Sequence, residues 1–191
     1  MTMFIRSERL FLRPIWPEDW ADLQAGLDDD DIVRNLSRMG WPHTPDKARE
    51  ASVLPHNPCL PNFLITCPRG NQGVDVIGGI GLADLDGEVA LGCWIARGHR
   101  GQGHATEAAR AVLTLARTLG HRRVTARHVV DNPAAGRVLR KLGFAPTGVA
   151  GACLTYALDL GAPSDCDDDF GGDGMGGDGV GRGGFPTRRA A

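Results

Sequence analysis

A glycine-rich run at residues 100–105, Arg-Gly-Gln-Gly-His-Ala, has the composition of an anion-binding turn. Residues 89–96 before it are apolar, as in a strand, and small apolar residues recur at helical spacing over residues 105–119. The glycines therefore fall at the start of a helix, where the first backbone N–H groups have no partner within the helix. Because glycine lacks a Cβ, phosphate oxygens can approach these N–H groups closely, and the helix dipole favours negative charge there. The spacing predicts a pyrophosphate site, with Arg100 as a nearby cation.

Two common phosphate-binding motifs do not account for this run. A P-loop requires Lys and then Ser or Thr after its second glycine, whereas His104 and Ala105 stand there. A dinucleotide fingerprint is a weak match, because it requires a third glycine where Thr106 stands. A third pattern, Arg-x-x-Gly-x-Ala, fits Arg100, Gly103 and Ala105. This pattern resembles the turn that holds the pyrophosphate of coenzyme A in the Gcn5-related N-acetyltransferase (GNAT) superfamily.

A second signature downstream resembles the same superfamily. Residues 132–136, Asn-Pro-Ala-Ala-Gly, lead into residues 139–144, Leu-Arg-Lys-Leu-Gly-Phe. Together they are similar to the superfamily's Asn-x-x-(Ser/Ala) and Lys-Leu-Gly-Phe signature. Residues 92–94, Gly-Cys-Trp, and residues 105–108, Ala-Thr-Glu-Ala, narrow the resemblance to the RimJ/RimL-like branch. The resemblance covers residues 8–160, and its specificity comes from the two signatures in this order.

The resemblance implies an α/β fold with a mixed sheet, helices on both faces and two splayed central strands, here residues 88–96 and 122–130. The pantetheine arm of acetyl-CoA would lie in the cleft between these strands, where its amides would pair with backbone groups as an added strand does. A backbone N–H near Ile95 would also serve the oxyanion. Asn132 before Pro133 is a good helix N-cap, so capping alone and capping combined with cofactor contact both stay open. The implied cofactor-binding residues are Ile95, Ala96, Arg97, Arg100, Gly101, Gln102, Gly103, His104, Ala105 and Asn132.

The implied chemistry is direct attack of an amine on the acetyl thioester, which needs a proton acceptor and a proton for the leaving thiolate. The chain departs from the family pattern here, since Leu139 stands where several relatives have a Tyr acid and Ala90 where some have a Glu base. Glu88 shares a strand face with Ala90 and is the best candidate for a base acting through water. A solvated Glu at a strand end is the simpler interpretation of Glu88. Tyr156 is expected to pack, and the side chain of His104 to be exposed at its turn. Weaker candidates for the base are Ser37 and His43.

Helix caps, turn residues and hydrophobic periodicity predict where the remaining helices, strands and turns lie. Four acids at residues 28–31 are interpreted as the start of a helix rather than as a metal cluster, because negative charge stabilises a helix N-terminus. Turns are predicted at residues 69–71 and 86–87. The predicted strands are 8–13, 61–67, 74–84, 88–96, 122–130 and two more before residue 160, and the predicted helices start at residues 17, 28, 44, 105 and 133.

Composition separates a domain at residues 1–160 from a Gly- and Asp-rich tail at residues 161–191, which is expected to be disordered. The net charge of the chain is only −2, which does not favour a nucleic-acid surface. Long apolar runs and leader-like segments are absent, so a cytoplasmic protein without membrane contact is expected. The five cysteines are expected to be reduced. A calcium loop at residues 165–176 is disfavoured, because Phe170 and Gly176 replace the Gly and Glu of an EF-hand.

Together these signals predict an acetyl-CoA-dependent N-acetyltransferase that binds no metal. The expected acceptor is a primary amine, with a protein or peptide N-terminus favoured by the resemblance. Two alternatives stay open: an acyl-CoA-binding or regulatory module with little catalysis, and an acetyltransferase of a polyamine, an antibiotic or an amino acid. The sequence leaves a homodimer open.

Overall fold

A computed structural model describes residues 3–27, 57–69 and 73–161, together with residues 29, 32 and 46. The candidate residues Ser37 and His43 lie outside the described part. Most of the helices predicted at residues 28–36 and 44–54, and the tail after residue 161, also lie outside it.

The N-terminal strand is shorter than predicted, because the chain turns before it. Ser7 N–H donates to the carbonyl of Leu10 at 3.0 Å, and this turn separates strand β1 (Ile5–Arg6) from strand β2 (Phe11–Arg13). The two strands pair antiparallel. A 3-10 turn (Pro17–Asp19) and helix α1 (Trp20–Leu27) follow, as the Pro-Glu-Asp start signal predicted.

Three long antiparallel strands form the centre of the sheet: β3 (Asn62–Pro68), β4 (Val74–Leu85) and β5 (Glu88–Ile95). They agree with the predicted strands to within one residue at each end. The β4–β5 hairpin turns through Asp86 and Gly87, whose φ angles of 58° and 82° are those of a tight turn with two left-handed residues.

The C-terminal half alternates helices with strands and ends in a hairpin. Helix α2 begins directly after the glycine run, and helix α3 begins at the predicted Pro133. The elements are α2 (His104–Thr118), β6 (Arg123–Val129), α3 (Pro133–Lys141), β7 (Ala145–Ala150) and β8 (Cys153–Asp159).

All eight strands belong to one mixed sheet in the order β1-β2-β3-β4-β5-β6-β8-β7. The only parallel neighbours in the described part of the chain are β5 and β6. Such neighbours need a crossover connection, which α2 supplies. Helix α2 packs on β4 and β5 with Ala108, Val112 and Ala116 fully buried. Leu64 is fully buried although it points to the opposite face from Phe63 and Ile65, so both faces of the central strands are covered.

Candidate functional site

The sheet opens into a cleft between its two parallel strands. β5 and β6 pair in register only at Ala90 and Thr125, close to where β5 begins. Beyond that pair they separate, whereas β6 pairs with β8 along its whole length. The resulting cleft has a volume of about 650 Å³ and is lined by the end of β5, by β6, by the first turn of α2 and by α3 along its length.

The end of β5 presents backbone polar groups to this cleft. In an antiparallel ladder, successive residues of a strand point their N–H and C=O groups to opposite sides. Ala96 N–H donates to the carbonyl of Ile77 at 2.9 Å, so Ala96 is bonded on the β4 side. The neighbouring Ile95 therefore points its N–H into the cleft, as does Cys93 two residues earlier. The cleft wall is thus a strand edge with donors available for an extended ligand.

The first turn of α2 closes one end of the cleft with open backbone donors. The N-cap residue Gly103 has φ 85°, and no side chain caps the helix. The first helical hydrogen bond runs from Glu107 N–H to the carbonyl of Gly103, which leaves the N–H groups of residues 104–106 without a helical partner. Gly101 also has a left-handed φ of 77°, and a Cβ on it would meet open space. This arrangement is suited to bind an anion.

Helix α2 is held at this end by contacts with the distant N-terminal turn. Glu107 accepts hydrogen bonds from Ser7 Oγ at 2.8 Å, from Arg9 N–H at 2.7 Å and from Arg9 Nε at 2.8 Å. Burial alone would raise the pKa of Glu107, but these hydrogen bonds and the Arg9 charge together lower the pKa below its ordinary value. Arg9 Nη1 also donates to the carbonyl of Gln102 at 3.2 Å. These contacts fix the position of the glycine turn.

Arg100 is not the free cation that its place in the motif suggests. Its Nε donates to the carbonyl of Ile95 at 2.9 Å, and its Nη2 pairs with Asp29 Oδ2 at 2.9 Å. Arg97 pairs with the same carboxylate at 3.5 Å. Arg100 lines the cleft and connects the end of β5 to Asp29.

The structure brings most of the predicted cofactor-binding residues together. Gln102 lies behind the turn, where its Nε2 donates to the carbonyl of Gly98 at 3.2 Å. Ala96, Arg97 and Gln102 are not among the residues that line the cleft. The predicted residues that do line it are Ile95, Arg100, Gly101, Gly103, His104, Ala105 and Asn132.

Helix α3 forms the facing wall and begins differently. Asn132 Oδ1 accepts from Ala135 N–H at 3.2 Å, so the side chain acts as the predicted N-cap. Arg137 and Lys141, one turn apart on α3, also line the cleft. No ion-pair partner for either is found among the described residues. Sequence reasoning missed this pair, although an i, i+4 spacing of two cations was a visible signal.

Glu88 lies away from the cleft. Its side chain is 57% exposed at the start of β5, and its nearest ion-pair partner is Arg123 at 3.7 Å. It is not among the cleft-lining residues, which begin on this strand at Leu91. The assignment of Glu88 as a base stays a prediction that this placement does not support.

The position that would hold a Tyr proton donor is apolar here, and the one tyrosine of the chain is buried elsewhere. Leu139, at the position where relatives have Tyr, lines the cleft and is 7% exposed. Tyr156 is buried as expected, with its hydroxyl 3.3 Å from Nε2 of His128. His128 Nδ1 donates to the carbonyl of Val129 at 2.8 Å, so both ring nitrogens are engaged. A Cβ at Gly136 would lie 2.8 Å from Nε2 of His128, so glycine makes room for this pair.

Cys93 is the thiol that borders the described part of the cleft. Burial raises the pKa of Cys93 to about 12. The nucleophilic form of cysteine is the thiolate, so this thiol is not suited to form an acyl-enzyme. The site geometry is consistent with transfer between two bound substrates.

The imidazole of His104 is buried rather than exposed at its turn, with 6% of the residue accessible. It is the first member of a helical stripe that continues through Ala108 and Val112, which pack on the sheet. This stripe at i, i+4 and i+8 was present in the sequence and was a signal for its burial.

Other kinds of site are not found in the described residues. None of their His, Cys, Asp and Glu side chains form a group of three or more that would hold a metal ion. No helix among them is long and apolar enough to cross a membrane.

Comparisons with known proteins agree with this geometry. A family model described as an acetyltransferase (GNAT) domain matches residues 9–145. A GNAT-family acetyltransferase from Bacillus anthracis is 21% identical, with 83% of this chain and 99% of that chain covered and a TM-score of 0.64. RimL, a ribosomal L7/L12 α-N-protein acetyltransferase solved with coenzyme A, is 18% identical, with 85% and 100% covered and a TM-score of 0.67.

A further solved structure with this fold is a chimera of the spermidine N-acetyltransferase SpeG from Vibrio cholerae. It is 17% identical, with 80% of this chain and 96% of that chain covered and a TM-score of 0.62. No curated protein sequence matches the chain. At these identities the solved structures establish the fold, and the match to the family model covers most of the chain.

Proposed function

The chain belongs to the GNAT acetyltransferase family, and on this premise we propose that it transfers the acetyl group of acetyl-CoA to the α-amine of a protein or peptide. The observation that carries the proposal is that two sets of free backbone N–H groups, at the end of β5 and at the start of α2, line the same cleft. The cleft-facing edge of β5 ends at Ile95, and the uncapped start of α2 follows within ten residues. An extended arm with a pyrophosphate at one end matches this sequence of donors.

The residues that would hold acetyl-CoA follow from that geometry. Backbone N–H groups from Gly101 to Ala105 would bind the pyrophosphate, where the helix dipole adds favourable charge. The N–H of Ile95 would pair with the pantetheine arm or with the thioester oxygen. Arg137 and Lys141 line the cleft from α3 and would add positive charge near the phosphates. The fit uses main-chain donors more than side chains.

The reaction forms a C–N bond at the thioester carbonyl and breaks the C–S bond. A backbone N–H at the end of β5 would stabilise the negative charge that develops on the carbonyl oxygen. Cys93 would stay protonated and take no acetyl group. No carboxylate of β5 reaches the cleft. The proton of the acceptor ammonium would leave through water, and the CoA thiolate that departs would take a proton from water.

The charge of the cleft favours an α-amine over a polycation. Asp131 is the one acid among its described lining residues, and of the basic ones Arg100 and Arg127 are already paired with Asp29 and Asp86. A polyamine or an aminoglycoside carries several positive charges, and the described lining offers it a single carboxylate to pair with. The α-N-protein acetyltransferase RimL among the similar structures is consistent with the same choice.

Release of free CoA thiol from acetyl-CoA tests the proposal. Purified protein is assayed with a panel of short peptides that differ in their first residue, with spermidine and with an aminoglycoside. Peptides with a free N-terminus should release thiol, and the same peptides with an acetylated N-terminus should not. Turnover of the polycations above that of every peptide would contradict the acceptor assignment.

The pH dependence adds a second readout on the acceptor. An α-amine titrates near pH 8, whereas a lysine-like amine titrates near pH 10. The kcat/KM for peptides should therefore level off above about pH 8. A steady rise to about pH 10 would instead indicate an ε-amine.

A second candidate function is binding or sensing of acyl-CoA without efficient transfer. The observation that favours it is Leu139, an apolar side chain where relatives carry the proton donor. Tight binding of acetyl-CoA with no thiol release across the whole panel would support this alternative and reject the enzyme.

A further inference from the structure

The imidazole of His104 carries an unexplained polar atom. His104 Nδ1 is buried, and no hydrogen-bond partner for it is found among the described residues. Buried polar atoms in folded proteins are paired in the large majority of cases, because an unpaired one lowers stability. The atom therefore lacks a partner within the described residues, and a ligand in the cleft that His104 lines would supply one.

The position of the ring narrows the choice of partner. His104 opens the buried stripe of α2 that packs on β4 and β5, so its ring lies at the end of that interface, where the cleft begins. The ring of His99, which also lines the cleft, has its centroid 6.2 Å away. Ile95 and the glycines of the turn line the same cleft.

We infer that His104 Nδ1 forms a hydrogen bond with the pantetheine arm of acetyl-CoA, and this inference rests on the proposed function. The phosphates already have the backbone donors of the glycine turn. The arm must pass from that turn to Ile95, and it carries a hydroxyl and two amides. An imidazole nitrogen donates or accepts one hydrogen bond, which matches any of these groups.

Two ligands that differ only in the arm test the inference. Dissociation constants are measured for CoA and for adenosine 3′-phosphate 5′-diphosphate, which is CoA without pantetheine. His104→Leu should weaken CoA binding roughly three- to tenfold, the worth of one net hydrogen bond. Binding of the shorter ligand should change by less than about twofold. His104→Asn places a polar atom near the position of Nδ1 and should restore most of the affinity for CoA.

Thermal unfolding of the ligand-free protein separates binding from packing. Because His104→Leu removes an unpaired polar atom from a buried site, the ligand-free Tm should stay the same or rise. His121→Leu is the matched control, since His121 lies beyond the far end of α2 and bonds the carbonyl of Cys59. That control should leave both dissociation constants unchanged.

Three results would overturn the inference. Equal losses for both ligands would place the imidazole at the phosphates. An unchanged affinity for CoA would mean that water satisfies Nδ1, and a lowered ligand-free Tm would indicate a packing role. Failure of the proposed function looks different, because the unsubstituted protein would then release no thiol with any acceptor.

Discussion

Helices α2 and α3 begin at one cleft, and they differ in whether a side chain caps the N–H groups of the first turn. Each helix starts with N–H groups that have no partner within the helix. At α3 the side chain of Asn132 caps Ala135 N–H from three residues away. At α2 no side chain caps the turn, and the helix is fixed by Glu107, whose partners Ser7 and Arg9 lie 100 and 98 residues earlier in the chain.

This difference in capping predicts different roles for the two helix starts in binding the cofactor. A start that is capped by its own side chain has fewer N–H groups left for a ligand, so α3 would contribute through its cations. A start anchored from a distance keeps its donors free, so α2 would contribute through its backbone. Variants at four places on these two helices test this division, and a variant at Glu88 on β5 is compared with them.

The largest effect is expected from a side chain on the open start of α2. Gly103→Glu places a carboxylate among the donors and should weaken CoA binding by at least about a hundredfold through charge repulsion and loss of access. Gly87→Glu is the matched control, because Gly87 has nearly the same φ, 82° against 85°, in an open hairpin turn. Isothermal titration measures both variants. Similar affinities in the two would disprove the backbone cradle.

The distant anchor of α2 should make a large contribution to stability. Glu107→Gln replaces a carboxylate that accepts three hydrogen bonds and should cost about 2 kcal/mol of unfolding free energy at pH 7. Because the folded pKa of Glu107 lies below its ordinary 4.5, this contribution is present above pH 4.5 and is lost as the pH falls through the folded pKa. Urea unfolding at several pH values measures it. A cost that persists at pH 2 would contradict the assignment to the charged form.

The local cap of α3 should matter for stability more than for ligand binding. Asn132→Ala removes the cap and should cost about 1 kcal/mol, whereas Asn132→Ser should cost less. The affinity for CoA should change by less than about threefold, because the cap bond is internal. Chemical denaturation and titration on the same samples measure both quantities. A tenfold loss of affinity at unchanged stability would show that Asn132 contacts the cofactor.

The cations of α3 should give a smaller effect that depends on salt. Arg137→Gln with Lys141→Gln should raise the KM for acetyl-CoA by about five- to tenfold at low ionic strength, and by less at 0.5 M salt. Arg140→Gln on the same helix is the control, because Arg140 does not line the cleft. Steady-state kinetics at two salt concentrations measure the difference. An equal change of KM in Arg140→Gln would show that the effect comes from the net charge of the protein and not from cations in the cleft.

The smallest effect is expected at Glu88. Since its carboxylate is exposed and paired with Arg123 outside the cleft, Glu88→Gln should alter kcat by less than about twofold. The pH profile of kcat is measured alongside. A drop of tenfold or more, with the basic limb of the profile removed, would restore Glu88 as the base.

Local features of both helix starts could be predicted from sequence. The glycines before α2 and the Asn-Pro pair before α3 act within one turn, so their spacing determines the geometry. The Asp86–Gly87 turn and the strands beside it are also local, and their predicted bounds were within one residue. The resemblance to the GNAT family was confirmed by the family model.

Long-range partners could not be predicted in this way. Arg100 is paired with Asp29, 71 residues away, and Glu107 with Arg9, 98 residues away. Strand alternation correctly places Glu88 on one face with Ala90, but it does not tell which end of β5 opens. The separation of β5 from β6 determines that end, and it depends on the whole sheet.

The single pair that joins β5 to β6 also bears on how the molecule unfolds. Strands β1 to β5 form one continuous ladder, and β6, β8 and β7 form another. Such weakly joined ladders can open as separate cooperative units, with different free energies of local opening. A ligand arm paired with the edge of β5 would lie across that boundary. Cofactor binding would then join the two ladders into one cooperative unit of unfolding. The cooperativity of unfolding would therefore increase with the concentration of acetyl-CoA.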